Sequence, residues 1–359
     1  MFKTFQFLRK SGVIGLNERN VKYVSAFNPR RLHRLVNNKI ETKQLALQAH
    51  IPVPPLLGTL ESARDIGALE KIVQGAPGFV IKPAQGAQGN GILVIDGPMA
   101  GGWRLANGRR ITNDRIRFHV NNIMSGMYSL GGQPDIAMVE YKVNFDPLFD
   151  DVSFKGVPDI RVIVLKGFIV AAMVRLPTAD SDGKANLHKG GVGVGVDLAT
   201  GTTTSAMQYD RPISVHPDTM QSLSGIHIPN WDDVLLMAAR AFDVTDLGYL
   251  GVDVVLDRDK GPLLLELNAR PGISIQIANG TGLRERLETI NKLEDVTSLT
   301  AEQRVTVSKD LGNAASIIAG FADEEQTDAN EDLAPSTDDL EGRSEEDVPH
   351  IPPKTATAD

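Results

Sequence analysis

Short apolar runs separated by turn residues alternate with stretches of helical periodicity along most of the chain. Seven of these runs are predicted to be strands, because they are rich in β-branched and apolar residues and end at glycine, proline or polar turns. They cover residues 78–82, 91–95, 136–142, 159–165, 168–176, 249–256 and 262–267. Since most of these runs are separated by turn residues, the pattern favours antiparallel meanders.

Three helices are predicted from capping residues and from apolar positions at helical spacing. The first follows Asn38, a residue type that caps helix N-termini, and it runs to residue 48, before the prolines of 52–55 prevent its continuation. The other two cover residues 231–242 and 275–292. Helices that alternate with antiparallel strands predict an α+β fold with two lobes, each built from a sheet and helices.

Changes in composition divide the chain into four predicted parts. Residues 1–37 form a basic extension without sustained periodicity, residues 38–138 the first lobe with a glycine-rich lid, and residues 139–320 the second lobe. Residues 321–359 form an acidic tail, in which thirteen acidic and two basic side chains give a local charge of −11 and leave +3 for the remainder. Because it has almost no large apolar residues, the tail is predicted to be disordered.

Amino-acid composition excludes cysteine-dependent sites and gives no indication of a membrane protein. The 359 residues contain no cysteine, which excludes disulfides, thiolate catalysis and cysteine-ligated metal centres and fits a reducing cytoplasm. No apolar run approaches the roughly 18 residues of a membrane span, and the start of the chain has no pattern of a signal peptide. We therefore expect a cytoplasmic protein without membrane insertion.

Arg30, Arg31 and Arg34 form a basic cluster of a kind that also occurs in nucleic-acid-binding proteins. The sequence has no aromatic-rich platform and no recognised nucleic-acid-binding motif, so no nucleic-acid partner is predicted. The cluster is then a solvated face, or it extends a cleft toward an acidic substrate.

Candidate chemistry appears on the last two predicted strands. Asp253 lies on one of them, and Glu266 and Asn268 lie on and just after the next. Residues at i and i+2 of a strand share a face, so these three oxygen-bearing side chains can converge. Hard oxygen donors of this kind suit Mg²⁺, which completes its shell with water and substrate phosphates. The alternative is that Glu266 and Asn268 are solvated strand residues.

A glycine-rich loop follows the first predicted strand. Lys82 ends that strand, and Gly86, Gly89 and Gly91 follow it. An ammonium group beside such a loop can bind phosphate oxygens while backbone N–H groups close over them, which predicts a nucleotide-phosphate lid. The spacing is not that of a Walker A loop, and a simple turn is the alternative.

A third candidate is the predicted strand at 136–142, which carries Glu140 near its end. A carboxylate in this position can accept a hydrogen bond from the amino group of adenine while the backbone near Val143 contacts the edge of the ring. Asp146 or Asp150 can then lie near the ribose. Otherwise Glu140 marks the exit of a strand into solvent.

Taken in order, these residues resemble the ATP-grasp superfamily, and within it the RimK-like α-L-glutamate ligases. The resemblance covers about residues 38–290 and is most specific in the loop at 186–191 and in the Glu-x-Asn-x-x-Pro-Gly element at 266–272. It implies that ATP lies between two α+β lobes and that the protein is an ATP-dependent carboxylate–amine ligase which forms an acyl-phosphate. The positions it implies are Lys39 and Lys82 for the phosphates of ATP, Glu140 for adenine, Arg161 and Asn186 for the γ-phosphate or acyl-phosphate, and Asp253, Glu266 and Asn268 for two Mg²⁺ ions.

Two further cations belong to the expected site. Lys189 stands where the related loop often has an arginine, which keeps the charge but loses a bidentate contact. Arg270 adds a cation near the phosphates or the substrate, and a structural ion pair is the alternative. The expected metal is Mg²⁺, with Mn²⁺ as the alternative ion.

The resemblance also implies the class of substrate. Glutamate or another amino acid would be joined to a carboxylate acceptor, which is itself an amino acid or a peptide. Two other functions stay open, namely an ATP-grasp kinase that phosphorylates a small molecule and a non-catalytic ATP-binding protein. The acidic tail could bind a protein partner, and the chain could form a homo-oligomer.

Overall fold

The computed structural model describes residues 2–62, 64–86, 89–293, 298–318 and 320–321. Within these residues thirteen strands form two sheets, and helices pack on both. The strands are β1 (Leu56–Leu60), β2 (Phe79–Pro83), β3 (Leu93–Met99), β4 (Gly102–Leu105), β5 (Arg110–Ile111), β6 (Ala137–Tyr141), β7 (Asp159–Leu165), β8 (Phe168–Leu176), β9 (Val192–Val196), β10 (Thr203–Gln208), β11 (Arg211–Ile213), β12 (Tyr249–Asp257) and β13 (Gly261–Asn268).

The α-helices are α1 (Phe2–Lys10), α2 (Leu16–Arg19), α3 (Ser25–Phe27), α4 (Arg34–Asn37), α5 (Lys39–Gln48), α6 (Leu69–Ile72), α7 (Asn113–Met124), α8 (Trp231–Thr245), α9 (Ile275–Ala278), α10 (Arg284–Lys292) and α11 (Ala301–Lys309). A π-helix, Asn20–Val24, joins α2 to α3. As the sequence predicts, Asn38 caps α5, because its side chain accepts hydrogen bonds from Ile40 N and Glu41 N.

The strands are divided between two sheets, each with its own strand order. The first sheet has the order β1-β6-β2-β3-β4-β5, and the second has the order β11-β10-β9-β8-β7-β12-β13. Every neighbouring pair in both sheets is antiparallel. The α+β class predicted from the sequence is therefore confirmed, with one antiparallel sheet for each lobe.

Strands with continuous apolar runs have the bounds that the sequence predicts. β7 and β8 are buried along almost their whole length, and their residues are apolar apart from Asp159, Arg161 and Arg175. Lys166 and Gly167 join them with φ values of 51° and 82°. Two successive residues with positive φ form the tight turn that matches the twist of a hairpin.

The predicted helix at 275–292 is wrong in one respect, because the structure divides it into α9 and α10. Gly280 between them has a φ of +62°, which is not helical. Gly282 passes so close to Gly12 that a Cβ atom there would lie 2.0 Å from the Gly12 carbonyl carbon. The N-terminal part of the chain therefore occupies the space that a continuous helix would need.

Two large hydrophobic cores lie within the described residues, one on each sheet. The first core lies between the first sheet and α7, where Ile116 packs with Val139. The second core includes α8 and also Ala46 of α5 with Ile51 after it. Helix α5 thus packs in the second core, and the lobe bounds of 38–138 and 139–320 stay predictions.

The basic N-terminal part of the chain is helical and packs on the second sheet. Its α-helices after α1 are three or four residues long, too short to give a sustained period. Asn28 Nδ2 donates to the carbonyls of Tyr249, at 2.7 Å, and Ala269, at 2.8 Å. Arg19 Nη1 donates to the carbonyl of Arg270 at 3.2 Å. These bonds hold the segment against the end of β13.

The predicted acidic tail lies outside the described residues, apart from residue 321. In the part of the chain that the structure describes, no helix has the length and apolar character needed to cross a membrane.

Candidate active site

The register of the second sheet places three oxygen-bearing side chains on one face. Asp253 on β12 lies opposite Glu266 on β13 and opposite Arg161 on β7. Asn268 is two residues after Glu266, so its side chain shares the face of Glu266. The structure thus brings together the three residues for which a metal-binding role is predicted, and it adds an arginine beside them.

Asp253 is held by two arginines in a buried network. Arg161 donates from Nε to Asp253 Oδ1 at 2.7 Å and from Nη2 to Oδ2 at 2.6 Å. Arg175 donates from Nη2 to Asp253 Oδ2 at 2.8 Å and binds Asp159 through Nε at 2.5 Å and Nη2 at 2.7 Å. The four side chains balance in charge, which is what a buried ionic cluster requires.

The two carboxylates of this network differ in their pKa. Burial works against ionisation of Asp253, yet the charges of Arg161 and Arg175 outweigh it and lower the pKa of Asp253. Burial raises the pKa of Asp159 to about 6. The charge of Arg175 lowers this pKa, and the charge of Asp253 raises it further. Asp253 is therefore the firmly ionised partner of the pair.

Glu266 and Asn268 fit a magnesium ion whose shell is completed by substrate, whereas Asp253, the third predicted ligand, is bound by two arginines instead. Asn268 turns Nδ2 toward Asp253 Oδ2 at 3.4 Å, which leaves Asn268 Oδ1 for another partner. The Glu266 side chain is 32% exposed, and its nearest cation is Lys39, at 4.0 Å. Both oxygens of Asp253 already accept from arginines, and the described residues contain no group of three or more histidine or carboxylate side chains arranged to hold a metal. Magnesium commonly uses one or two carboxylates with phosphates and water.

On the first sheet, Lys82 and Glu140 form a buried ion pair. Lys82 lies on β2 and contacts Glu140 Oε1 on the neighbouring β6. Lys43 of α5 contacts the other oxygen of Glu140, with its Nζ 3.1 Å from Oε2. Burial opposes the charge of Glu140, but the two lysines lower its pKa below the usual value. Lys82 and Glu140, both predicted to bind nucleotide, are thus in direct contact. Lys43, which the sequence pattern does not indicate, contacts the same carboxylate.

Lys39 links the two halves of the site. It is the first residue of α5, and its Nζ donates to the carbonyl of Gly86 in the glycine-rich loop at 2.5 Å. The same Nζ lies 4.0 Å from Glu266 Oε1 on the second sheet. Burial lowers the pKa of Lys39, and the charge of Glu266 works in the opposite direction. One ammonium group therefore lies between the loop and a predicted metal ligand.

The glycine-rich loop is fixed at its base. Asp135 accepts from the backbone N of Gln85 at 3.1 and 3.0 Å through its two oxygens, although the sequence pattern does not single it out. At Gly86 a Cβ atom would lie 2.2 Å from the Pro83 ring, so no larger residue fits without a shift of the loop. Residues 87–88 are outside the described part of the chain. Beyond them, positive φ values of 70° and 75° at the next two glycines require that residue type: Gly89 and Gly91.

The loop predicted to face the phosphates approaches the glycine-rich loop. Asn186 Oδ1 accepts from His188 N at 3.0 Å and thereby forms the turn at Leu187–Lys189. Lys189 Nζ lies 3.5 Å from Asn90 Oδ1 in the glycine-rich loop. The turn ends at Gly190, whose φ of 95° is left-handed. Two loops from different sheets thus meet over the same region.

The other predicted site residues lie at its edges. The Val143 side chain is buried in a small apolar cluster with Val255. Asp146 Oδ1 accepts from Leu148 N at 2.9 Å and caps a short turn, so this carboxylate already has a partner. Arg270 is exposed, and its side chain has no ion-pair partner among the described residues. The structural ion pair that the sequence leaves open for Arg270 is therefore absent from this part of the chain.

Taken together, these side chains form a cationic site between two sheets. Lys39, Lys82 and Lys189 come from three different elements, and the arginines of β7 and β8 bind Asp253, which lies beside Glu266 and Asn268. Multiple ammonium and guanidinium groups neutralise a polyphosphate, and backbone N–H groups of a glycine-rich loop can close over it. The arrangement is suited to phosphoryl transfer, in which positioning and charge neutralisation do most of the work.

Comparison with known proteins supports a nucleotide-dependent enzyme fold. Residues 18–292 match the family model described as sugar-transfer associated ATP-grasp. A probable alpha-L-glutamate ligase of Thioalkalivibrio sulfidiphilus is 26% identical over 251 residues, which are 70% of this chain and 61% of that protein. The ribosomal protein bS6–L-glutamate ligase of Salmonella paratyphi B is also 26% identical over 251 residues, which are 70% of this chain and 61% of that protein. This chain thus aligns with less than two thirds of the length of these curated relatives.

Two solved structures also match parts of this chain. D-alanyl-alanine synthetase A of Vibrio cholerae is 13% identical and matches with a TM-score of 0.43, over 77% of this chain and 66% of that one. D-cycloserine synthetase is 15% identical and matches with a TM-score of 0.40, over 73% of each chain.

Proposed function

This chain belongs to the sugar-transfer associated ATP-grasp family, and on that premise we propose that it is an ATP-dependent ligase which joins a carboxylate to an amine. In the proposed reaction the γ-phosphoryl group of ATP passes to the carboxylate and gives an acyl-phosphate and ADP. The amine then attacks the acyl carbon, loses a proton and displaces phosphate. The products are an amide, ADP and inorganic phosphate.

The observation that carries this proposal is the position of Lys39 between Gly86 and Glu266. A ligase of this kind must hold a polyphosphate between a covering loop and a metal-binding carboxylate, and both the glycine-rich loop and Glu266 lie within reach of this one ammonium group. A buried cation there neutralises phosphate charge in a site that excludes water. Neither sheet alone contains all three parts.

We assign the nucleotide to the cationic site. Lys39 and Lys82 bind its phosphates, and the N–H groups of the glycine-rich loop cover them. Glu140 accepts from the adenine amino group, the backbone at Val143 contacts the ring edge, and Asp146 lies near the ribose. Since Glu140 is paired with Lys82 in the structure, binding of ATP requires Lys82 to turn from this carboxylate to a phosphate.

The reacting phosphoryl group lies on the second sheet in this proposal. Arg161, Asn186, Lys189 and Arg270 surround the γ-phosphate and the acyl-phosphate. Glu266 and Asn268 Oδ1 are the groups that would hold Mg²⁺, or Mn²⁺ in its place, and such an ion neutralises and orients phosphate oxygens when bound. Asp253 fixes the guanidinium of Arg161 and the amide of Asn268 beside them.

The proposed substrates are amino acids or peptides. The curated relatives at 26% identity are named as glutamate ligases, which makes glutamate the first amine to test. The carboxylate acceptor would be an amino acid or a short peptide. Arg270, which is exposed just after β13, is the cation that we place near the phosphates or the substrate.

The test measures ADP, free phosphate and amide product from the full chain with Mg·ATP and a panel of amino acids, alone and mixed with small peptides. Release of ADP and phosphate that depends on an acid–amine pair, with an amide detected by mass spectrometry, is the expected result. Glu266→Gln should abolish turnover, whereas Glu285→Gln, at an exposed position of α10, should leave it unchanged. Phosphate retained on a product would instead identify a kinase, and full activity of Glu266→Gln would overturn the metal assignment.

A further inference from the structure

Lys43 is a buried lysine that the proposed reaction does not use. It lies on α5 one turn after Lys39, and the residue is only 5% exposed. Its Nζ donates to the carbonyl of Pro54 at 2.5 Å and lies 3.1 Å from Glu140 Oε2. A buried ammonium group is costly unless it is paired and hydrogen-bonded, so a lysine here calls for a reason.

Two ammonium groups share one carboxylate in this cluster. Lys82 contacts Glu140 Oε1 and Lys43 contacts Oε2, so the three side chains carry one positive charge in excess. Glu140 is 3% exposed, and a carboxylate with so little solvent needs a cation to remain ionised. With both lysines in place, Glu140 has one cation more than its charge requires.

The second ammonium group becomes necessary for Glu140 if Lys82 moves away. When Lys82 turns toward phosphate, Glu140 would lose its partner on Oε1 and, without Lys43, would be a buried carboxylate with no cation in contact. The anchor of Lys43 does not depend on nucleotide, since it is a backbone carbonyl in the segment between the two cores. That segment is itself fixed, because Leu264 N donates to Pro52 O at 2.8 Å and Tyr141 N to Pro55 O at 2.8 Å.

We propose that Lys43 is a positioning residue that holds Glu140 ionised and fixes its Oε2, so that Oε1 is free to accept a hydrogen bond from the amino group of adenine. This inference rests on the proposed function, since it needs Lys82 to move to a phosphate. Guanine presents a carbonyl oxygen where adenine has its amino group. A fixed, ionised carboxylate attracts the amino group of adenine and repels the carbonyl oxygen of guanine, and Lys43 thereby sets the preference for ATP over GTP.

The experiment compares the binding of Mg·ATP and Mg·GTP by calorimetry in the full chain. Lys43→Met keeps an unbranched side chain of similar length and removes the charge. Loss of one hydrogen bond to a charged group predicts that the affinity for ATP falls about tenfold or more, while that for GTP changes little. The ATP-to-GTP affinity ratio should therefore collapse, and Lys71→Met, at an exposed position of α6, should leave both affinities unchanged.

The ratio distinguishes positioning from a structural role. A lysine that only stabilised the fold would lower both affinities together, and an unchanged ratio in Lys43→Met would overturn the inference. If that variant does not fold, Lys43→Gln removes the charge with a polar group and is read in the same way. Wild-type protein that binds ATP and GTP equally would also refute it, whereas wild-type protein that binds neither would refute the proposed nucleotide site itself.

Discussion

Substitution of Asp253 by asparagine tests the buried network on the second sheet. The change keeps the shape of the side chain but removes the charge that accepts from Arg161 and Arg175. The carboxylate is 3% exposed and both guanidinium groups are 13% exposed, so water cannot replace it. The cluster would change from neutral to one excess positive charge.

The magnitude follows from this burial. Removal of one partner from a buried ion pair costs about 3–5 kcal/mol, because the remaining charge stays buried without compensation. Arg175 still has Asp159, through Nε and Nη2, so only Arg161 loses its whole partner. We therefore expect the lower end, a loss of about 3 kcal/mol in the free energy of unfolding. Whole proteins are stable by only about 5–15 kcal/mol.

Urea unfolding at neutral pH, followed by circular dichroism, measures this loss by linear extrapolation. Asp182→Asn is the matched control, because the Asp182 side chain is 94% exposed and asparagine tolerates its φ of 52°. The control should stay within about 0.5 kcal/mol of wild type. A loss below about 1 kcal/mol for Asp253→Asn would refute the reasoning, since a buried pair cannot be broken so cheaply.

Two further predictions concern buried side chains outside that network. Asn28→Ala removes three buried hydrogen bonds, two to Tyr249 at the start of β12 and one to Ala269 after β13, and should cost about 2–4 kcal/mol in urea unfolding, with exposed Asn17→Ala as a near-neutral control. If Asn28→Ala loses no more unfolding free energy than the control, these hydrogen bonds do not hold the N-terminal segment in place. Burial lowers the pKa of Lys43 to about 8, so its contribution to stability is full above its unfolded pKa near 10.4 and is lost as pH falls through 8. The difference in unfolding free energy, wild type minus Lys43→Met, should thus rise between pH 8 and 10. A fall of this difference over the same range would contradict the lowered pKa of Lys43.

The parts of the fold that the sequence predicts well are those decided by local pattern. Asn38 caps α5 because its side chain reaches N–H groups two and three residues away, and the continuous apolar runs of β7 and β8 need no distant partner to be recognised. The break between α9 and α10 is different. It depends on Gly12 lying against Gly282, and nothing near residue 282 indicates that contact.

The same distinction holds for the site. Strand periodicity alone places Glu266 and Asn268 on one face, and Lys82 is indicated by its place at the end of a strand before the glycine-rich loop. Lys43 resembles a solvated helix residue, since its partner Glu140 is 97 positions further along the chain. Its only local signal is that it follows Lys39 by four residues and so lies on the same helix face.

The way in which the N-terminal segment packs has a consequence for synthesis. Ile14, Arg19 and Asn28 bind partners that lie 262, 251 and 221 positions later. At about 5–20 residues per second, the ribosome needs on the order of 10 to 50 s to supply them. The first sheet is complete in sequence once Tyr141 has emerged, so it can fold while the N-terminal segment still waits. The residues of the N-terminal segment are therefore among the last to reach their native contacts, and the second core closes only after β13 has been made.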